Sequence, residues 1–525
     1  MNRDTLTLQS LFSEALSRFN TKVALQMGSQ EMTYGELMSQ AQHLAQGLAT
    51  LGATRNISVG LLMSNCFEYV IGDLAIMFCG ATRVGLNDML SGEDIQYILR
   101  DSEAHVLIVD AAFVPIVSLF AAALPHLQAI IVVGSEEELP PGWIAWRDFM
   151  QQSFDALPLP PTKSDDQALI IYTGGTTGLP KGVVHTQSAM VLNFLSHVIE
   201  LGLLDDEVFL LMTPLPHSAG FLLNAGLLKG ARIIVERRFN VEEAVQWLKK
   251  GRITLTFMVP TMIYRLLDVM ETLHDEPMSI SLRTMVYGAA PITVARLEQG
   301  MKWLGPVFLQ LYGQSEAPDF ITRLRKEDHV RGLTDPSKLA SCGQPVMMAQ
   351  VCIVNDQGNP VAPGEVGEVI AKTPYNMAGY LHLPEKTQEV LKDGWLYTGD
   401  MGYQDDDGYV YLVDRKKDII ITGGMNVYSS EVENVLQRCP GVLQVAVIGV
   451  PDEDWGETVL AVVVPDPLIP VRSEDILLWT RERLAKYKRP KFVEFVDALP
   501  VTAYGKIDKK RLRHTYWQGE SRQIH

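Results

Sequence analysis

The chain has 525 residues, 47% hydrophobic and 20% charged, so it exceeds one ordinary domain, can bury a sizeable core and is neither disordered nor fibrous. A formal charge of −17 argues against nucleic acid or an anionic membrane surface as the main partner, because both reward clustered Lys and Arg. The five cysteines lack metal-ligand spacing, the opening residues hold no signal-length apolar core, no window spans about 18 apolar residues, and the final RQIH carries no peroxisomal address; a reducing cytoplasm is the expected location.

Between Thr7 and Leu51, helical spacing recurs at Leu11, Ala15 and Leu16 and at Leu37, Ala41, Leu44 and Leu48. Short apolar runs then alternate with helical stretches: Ser58 to Met63, Ala104 to Asp110, Ala129 to Val133 and Ala168 to Tyr172. A second series follows at Arg232 to Glu236, Leu255 to Val259, Thr284 to Tyr287 and Val307 to Leu311. This alternation predicts an α/β protein with βα units on parallel sheets, whose ligands bind at the loops beyond the strand carboxyl ends.

From about Gly364 the pattern turns to strands and turns, with a tight hairpin marked by Asp407-Gly408. A β-rich subdomain is therefore expected to complete a large N-terminal domain, residues 1–413. Beyond Asp414 the spacing predicts a small α+β domain, residues 414–525. It has a helix opening at Ser430 with Glu433 closing a capping box, strands near Val445 to Val450 and Val459 to Val464, and a helix from Ser473 to Ala485. Leu157 to Pro161 is the clearest linker-like stretch.

The strand Ala168 to Tyr172 runs into Thr173-Gly174-Gly175-Thr176-Thr177-Gly178, where glycines let backbone approach a phosphate and threonines add hydroxyl donors; Lys181 adds a full charge. A Walker loop needs Gly-Lys-Ser/Thr in succession, whereas Leu179-Pro180 separate Gly178 from Lys181 here. A kinase or GTPase is disfavoured. A generic Gly/Thr cluster after a strand is more often just a turn.

The complete string Tyr172 to Gly182, YTGGTTGLPKG, resembles the signature loop of the acyl-adenylate-forming superfamily, with Gly174 where many members carry Ser. The resemblance extends in order over nearly the whole chain. Leu311-Tyr312-Gly313-Gln314-Ser315-Glu316, following a strand, is similar to the second core motif: Glu316 is implied to hold Mg²⁺, Ser315 to contact the α-phosphate and Tyr312 to stack near adenine. Gly288-Ala289-Ala290-Pro291 resembles the adenine-pocket wall, although a strand-to-helix turn accounts for it physically. Asp400 in Tyr397-Thr398-Gly399-Asp400 matches the ribose-binding carboxylate, and Arg415 a second ribose or phosphate contact. Asp414 matches the hinge about which the C-terminal domain rotates between two half-reactions, with Gly423-Gly424 then beside the pantetheine channel. Lys506, in Leu499 to Lys506, matches a lysine that touches the carboxylate and α-phosphate during adenylation.

His217, in Pro214 to Gly220, matches a position beside the acyl site, where the resemblance implies gating or substrate contact; a lone His among apolar neighbours is otherwise a structural residue. Lys506, Thr176, Glu316 and His217 are thus the expected catalytic set. The resemblance implies ATP, Mg²⁺ and coenzyme A, and a carboxylic acid converted through acyl-AMP to a thioester. The small apolar segment Ala219 to Leu223 suits a fatty or aryl tail, and the lack of an acidic residue around His217 disfavours an amino acid, unless another loop supplies one. An enzyme loading a separate carrier protein shares every motif; a luciferase-like oxygenase shares the fold; a non-catalytic nucleotide sensor would have little use for both Glu316 and Lys506. The chain ends without a carrier domain, and a homodimer is a further possible assembly.

Overall fold

Apolar strands that read as continuous runs are buried on both faces, as parallel sheets flanked by helices require. In a computed structural model, which describes residues 6–135, 138–154, 161–173, 179–272, 281–290, 292–501 and 507–517, two such sheets form. One runs in the order Gly379–Tyr380, Lys181–Thr186, Gln167–Thr173, Thr82–Leu86, Ser58–Leu62, Val106–Asp110, Ala129–Val133, Ile144–Ala145. Its last six strands are parallel, while Lys181–Thr186 and Gly379–Tyr380 add antiparallel at the edge. The other is ordered Gln344–Pro345, Ala317–Leu324, Phe308–Gln314, Thr284–Tyr287, Leu255–Met258, Val208–Leu211, Arg232–Val235, Val23–Met27, Gln30–Thr33. Its core packs Met285, Tyr287 and Phe308 with Leu266 and Leu297 from covering helices, all fully buried.

The expected strands are present with small shifts, and four features depart from expectation. Between the helices Leu8–Arg18 and Tyr34–Thr50 lies an unexpected hairpin, Val23–Met27 and Gln30–Thr33, turned at Gly28 with φ 56°. It is short and half exposed, so it carries little apolar periodicity. The strand expected to end at Leu311 continues to Gln314, because its antiparallel partner Ala317–Leu324 carries the ladder through Gln314 opposite Ala317. Tyr312, Gly313 and Gln314 therefore belong to the strand instead of following it.

The chain divides into two compact units, Met1–Val351 with Ala371–Leu396, and Cys352–Ile370 with Tyr397–His525. In the second, Val410–Arg415 pairs antiparallel with Trp395–Gln404 across the expected turn, where Gly408 has φ 82° and donates its N–H to the Asp405 carbonyl. A further sheet is ordered Met425–Val427, Ile420–Thr422, Gly456–Pro465, Val442–Asp452, with Phe492–Phe495 parallel to Gly456–Pro465.

The capping box does not form there. The helix is Ser429–Leu436 and has no side-chain cap from its own N-terminal residue. The Asp414 carboxylate accepts from Ser429 Oγ at 2.9 Å and the Ser430 N–H at 3.3 Å instead. Glu433 is drawn away by the Val447 N–H and Lys509 Nζ, at 2.8 and 2.7 Å. The helix expected to reach Ala485 spans Ser473–Arg481, where the Arg489 guanidinium donates to the Arg481 and Leu484 carbonyls and satisfies the frayed end. Leu157 to Pro160 of the linker-like stretch lie outside the described residues. Among those described, no helix is long and apolar enough to cross a membrane, and all five cysteines are free.

Candidate active site

Thr173, the last residue of its strand, stands directly opposite Lys181, the first of the next, in an antiparallel pair. The loop between them thus leaves and returns at one point, whereas a Walker loop feeds a helix. Gly174, Gly175, Thr176, Thr177 and Gly178 lie outside the described residues.

Lys181 Nζ sits over the Tyr380 ring, 4.7 Å from its centroid, and Tyr380 Oη donates to Glu316 Oε1 at 2.7 Å. Burial, with the neighbouring Glu316 carboxylate, raises the Tyr380 pKa strongly, so the phenol keeps its proton and remains a donor. Backbone pairing fixes this group. The Leu381 N–H donates to the Gly182 carbonyl at 2.7 Å, Ala378 N–H to Val184 O at 2.8 Å, and Met377 N–H to Glu316 O at 2.8 Å. Ser315 and Glu316 form the two-residue connection between Gln314 and Ala317, which face each other across the ladder. From below, His185 Nε2 meets the Ser315 carbonyl at 2.7 Å. That contact makes Nε2 the protonated nitrogen. Burial lowers the His185 pKa to about 4.

Gly313 packs so closely that a Cβ would lie 2.6 Å from the Asp319 backbone nitrogen. Gly288 is equally constrained, since its Cβ would meet the Leu311 carbonyl at 2.7 Å. Ala289 holds φ at 65°, a left-handed conformation that L residues other than Gly, Asn and Asp seldom adopt, and both Ala289 and Ala290 are exposed. Pro291 lies outside the described residues. Tyr312 is buried.

His217 precedes the helix Ser218–Lys229 and is half-buried. Asn87 Oδ1 accepts the Met89 N–H at 2.9 Å, which turns Asn87 Nδ2 towards His217 Nε2, also at 2.9 Å. Nε2 is thereby the accepting nitrogen, and Nδ1 carries the proton of the neutral ring.

In the second unit, Asp400 and Arg415 are cross-strand partners, with Arg415 Nε 3.6 Å from Asp400 Oδ1. Asp400 is buried and Gly399 before it has φ 70°. Beside them, burial and the Arg415 charge push the Lys417 ammonium down to about 8. Gly423 and Gly424, with φ 55° and 77°, form the exposed two-residue turn between Thr422 and Met425, against Trp455. Lys506 lies outside the described residues.

The described residues thus bring together Thr173 with Lys181, Lys181 with Glu316 through Tyr380, and Asp400 with Arg415. Tyr380, His185 and Asn87 were not legible as site residues, since each is a single polar residue in an ordinary strand or loop. Its partner is supplied by a distant segment.

Known proteins resemble the chain over most of its length. Residues 12–381 match the model of the AMP-binding enzyme family and residues 431–506 that of the AMP-binding enzyme C-terminal domain. The chain is 37% identical to the medium/long-chain-fatty-acid–CoA ligase FadD8 of Mycobacterium tuberculosis over 97% of this chain and 90% of that one. It is 33% identical to the fatty acid–[acyl-carrier-protein] ligase ScoC of Streptomyces coeruleorubidus, over 94% and 93%. Among solved structures, the o-succinylbenzoate CoA synthetase of Bacillus subtilis with its acyl-adenylate intermediate superposes with a TM-score of 0.84 at 27% identity, over 98% of this chain and 99% of that one. By the family model that spans most of its length, the chain belongs to the AMP-binding enzymes.

Proposed function

We propose that this enzyme is an AMP-forming acid–thiol ligase that activates a fatty or aryl carboxylic acid with ATP and transfers the acyl group to coenzyme A. The observation that carries the reading is the Lys181–Tyr380–Glu316 group, which draws a phosphate-loop lysine and a motif carboxylate to one point. Such a pair suits a triphosphate and its metal, because charge neutralisation and positioning are the main demands of phosphoryl chemistry.

In the first step a substrate carboxylate oxygen attacks the α-phosphorus of ATP, the bond to the bridging β-phosphate oxygen breaks, and pyrophosphate leaves. Thr173, Thr176, Thr177 and the backbone of Gly174, Gly175 and Gly178 would cradle phosphate, with Lys181 and Lys506 offsetting its charge. Ser315 would contact the α-phosphate, Gly288 to Pro291 with Tyr312 the adenine, and Asp400 and Arg415 the ribose. Glu316 fits a Mg²⁺ role: Tyr380 holds Oε1, and a single carboxylate with substrate phosphates and waters is an ordinary magnesium set. Bound there, Mg²⁺ would supply charge neutralisation between phosphate oxygens. In the second step the thiol sulfur, as thiolate, attacks the acyl carbon and AMP departs with the anhydride oxygen. Asp414 would be the hinge between the two half-reactions, Gly423-Gly424 would flank the pantetheine path, and His217 would gate the acyl site.

A second reading, transfer to a carrier-protein thiol, draws support from the carrier-protein ligase among the relatives. The test is AMP formation across fatty, aryl and amino acids, with coenzyme A or an acyl carrier protein as acceptor. Activity confined to fatty or aryl acids with coenzyme A supports the ligase; no AMP from any acid overturns it. Lys506→Ala is expected to slow adenylation at least about a hundredfold while sparing thioester formation from supplied acyl-AMP. Equal loss of both half-reactions contradicts the assigned role.

A further inference from the structure

Four residues unused by that mechanism form a largely buried chain beside the Glu316 turn. Asp319 stands three residues after Glu316 and is held at φ 64°. Its Oδ1 accepts from Ser218 Oγ at 2.7 Å, and its Oδ2 lies 3.0 Å from His197 Nε2. The other imidazole nitrogen of His197 meets the Asn193 carbonyl at 2.8 Å, and Asn193 Nδ2 donates to the Pro318 carbonyl at 2.8 Å. A carbonyl only accepts, so His197 Nδ1 carries a proton. His197 is fully buried and Asp319 nearly so, so neither can exchange its partner for water without cost.

The two ends of this chain matter. Ser218 is the first residue of the helix Ser218–Lys229 and directly follows His217. At the other end, the Asp319 backbone is the surface against which Gly313 packs. The acidic residue that the neighbourhood of His217 lacks in sequence is thus supplied by another strand, where each of its oxygens is engaged by a protein group.

We propose that Asp319 is a positioning residue: through Ser218 it locks the start of the helix that directly follows His217 to the Glu316 turn, so that occupancy of the acyl side is felt on the nucleotide side. The inference rests on the ligase reading. Coupling of this kind is reciprocal, so the acid and ATP strengthen each other's binding by one factor.

The experiment uses the full chain and the α,β-methylene analogue of ATP, with octanoate, dodecanoate and 4-hydroxycinnamate as acids. Analogue affinity is measured by calorimetry with and without each acid, alongside acid-dependent pyrophosphate exchange. In the wild type, acid is expected to tighten analogue binding. Ser218→Ala, which removes only the arm to the helix, is expected to leave binary analogue affinity within about twofold, raise the acid KM about tenfold and abolish the tightening, as loss of one hydrogen bond to a charged group would. Ser218→Thr restores the acid KM and the tightening, and Asp319→Asn behaves like Ser218→Ala. No tightening in an exchange-competent wild type, or unchanged tightening in Ser218→Ala, overturns the inference. A wild type with no acid-dependent exchange overturns the ligase reading itself.

Discussion

His185 offers the most direct test of the site's physical basis. It lies in the strand Lys181–Thr186, fully buried, donating through Nε2 to the Ser315 carbonyl, while its Nδ1 has no hydrogen-bond partner among the described residues. Burial penalises the charged ring, which is why its pKa falls from the ordinary 6.5 to about 4, and protonating Nδ1 would add a buried N–H without a partner among the described residues. The sign follows from linkage. Above pH 6.5 the ring is neutral in both folded and unfolded chains, and the full stability is present. Below 6.5 the unfolded chain takes up the proton first, so stability falls until about pH 4, by about 3 kcal/mol across that interval and about 2 kcal/mol by pH 5. His185→Gln keeps an N–H for the Ser315 carbonyl and cannot titrate. Urea unfolding of both proteins at pH 7.5 and 5.0 should therefore show the difference between them shifting by about 2 kcal/mol in favour of the variant at the lower pH. A difference independent of pH refutes a buried neutral imidazole beneath the Ser315–Glu316 turn.

Tyr380→Phe removes the phenol that holds Glu316 Oε1. Manganese titrated with the ATP analogue, followed by electron paramagnetic resonance, should bind about tenfold more weakly through lost orientation of the carboxylate; unchanged or tighter binding contradicts that role. Gly313→Ala drives a Cβ to within 2.6 Å of a backbone nitrogen that cannot rotate away. It should cost about 1–3 kcal/mol in denaturant unfolding and depress AMP formation, whereas a fully stable and active variant rules out the close approach.

The chemistry was legible where it depends on local strings. The glycines proposed to admit phosphate, and the charges of Lys181, Glu316, Asp400 and Arg415, occur in contiguous motifs, because a loop that grips a ligand is built from neighbours in the chain. Alternating apolar runs likewise announced both parallel sheets, since burial on two faces leaves its mark strand by strand. The capping box at Ser430 failed because Lys509 and the Val447 N–H compete for Glu433, and no local pattern records such competitors.

Residue types and their order were thus determined by the sequence itself: a glycine-rich loop, a carboxylate turn and an α/β framework of the AMP-binding kind. Tertiary structure alone decided what supports them. Tyr380 reaches Glu316 across 64 residues of chain, Ser218 reaches Asp319 across 101, and His185 reaches Ser315 across 130. A hydrogen bond closed by distant strands is set by sheet order and register, and a buried polar atom must find its partner wherever the fold delivers one.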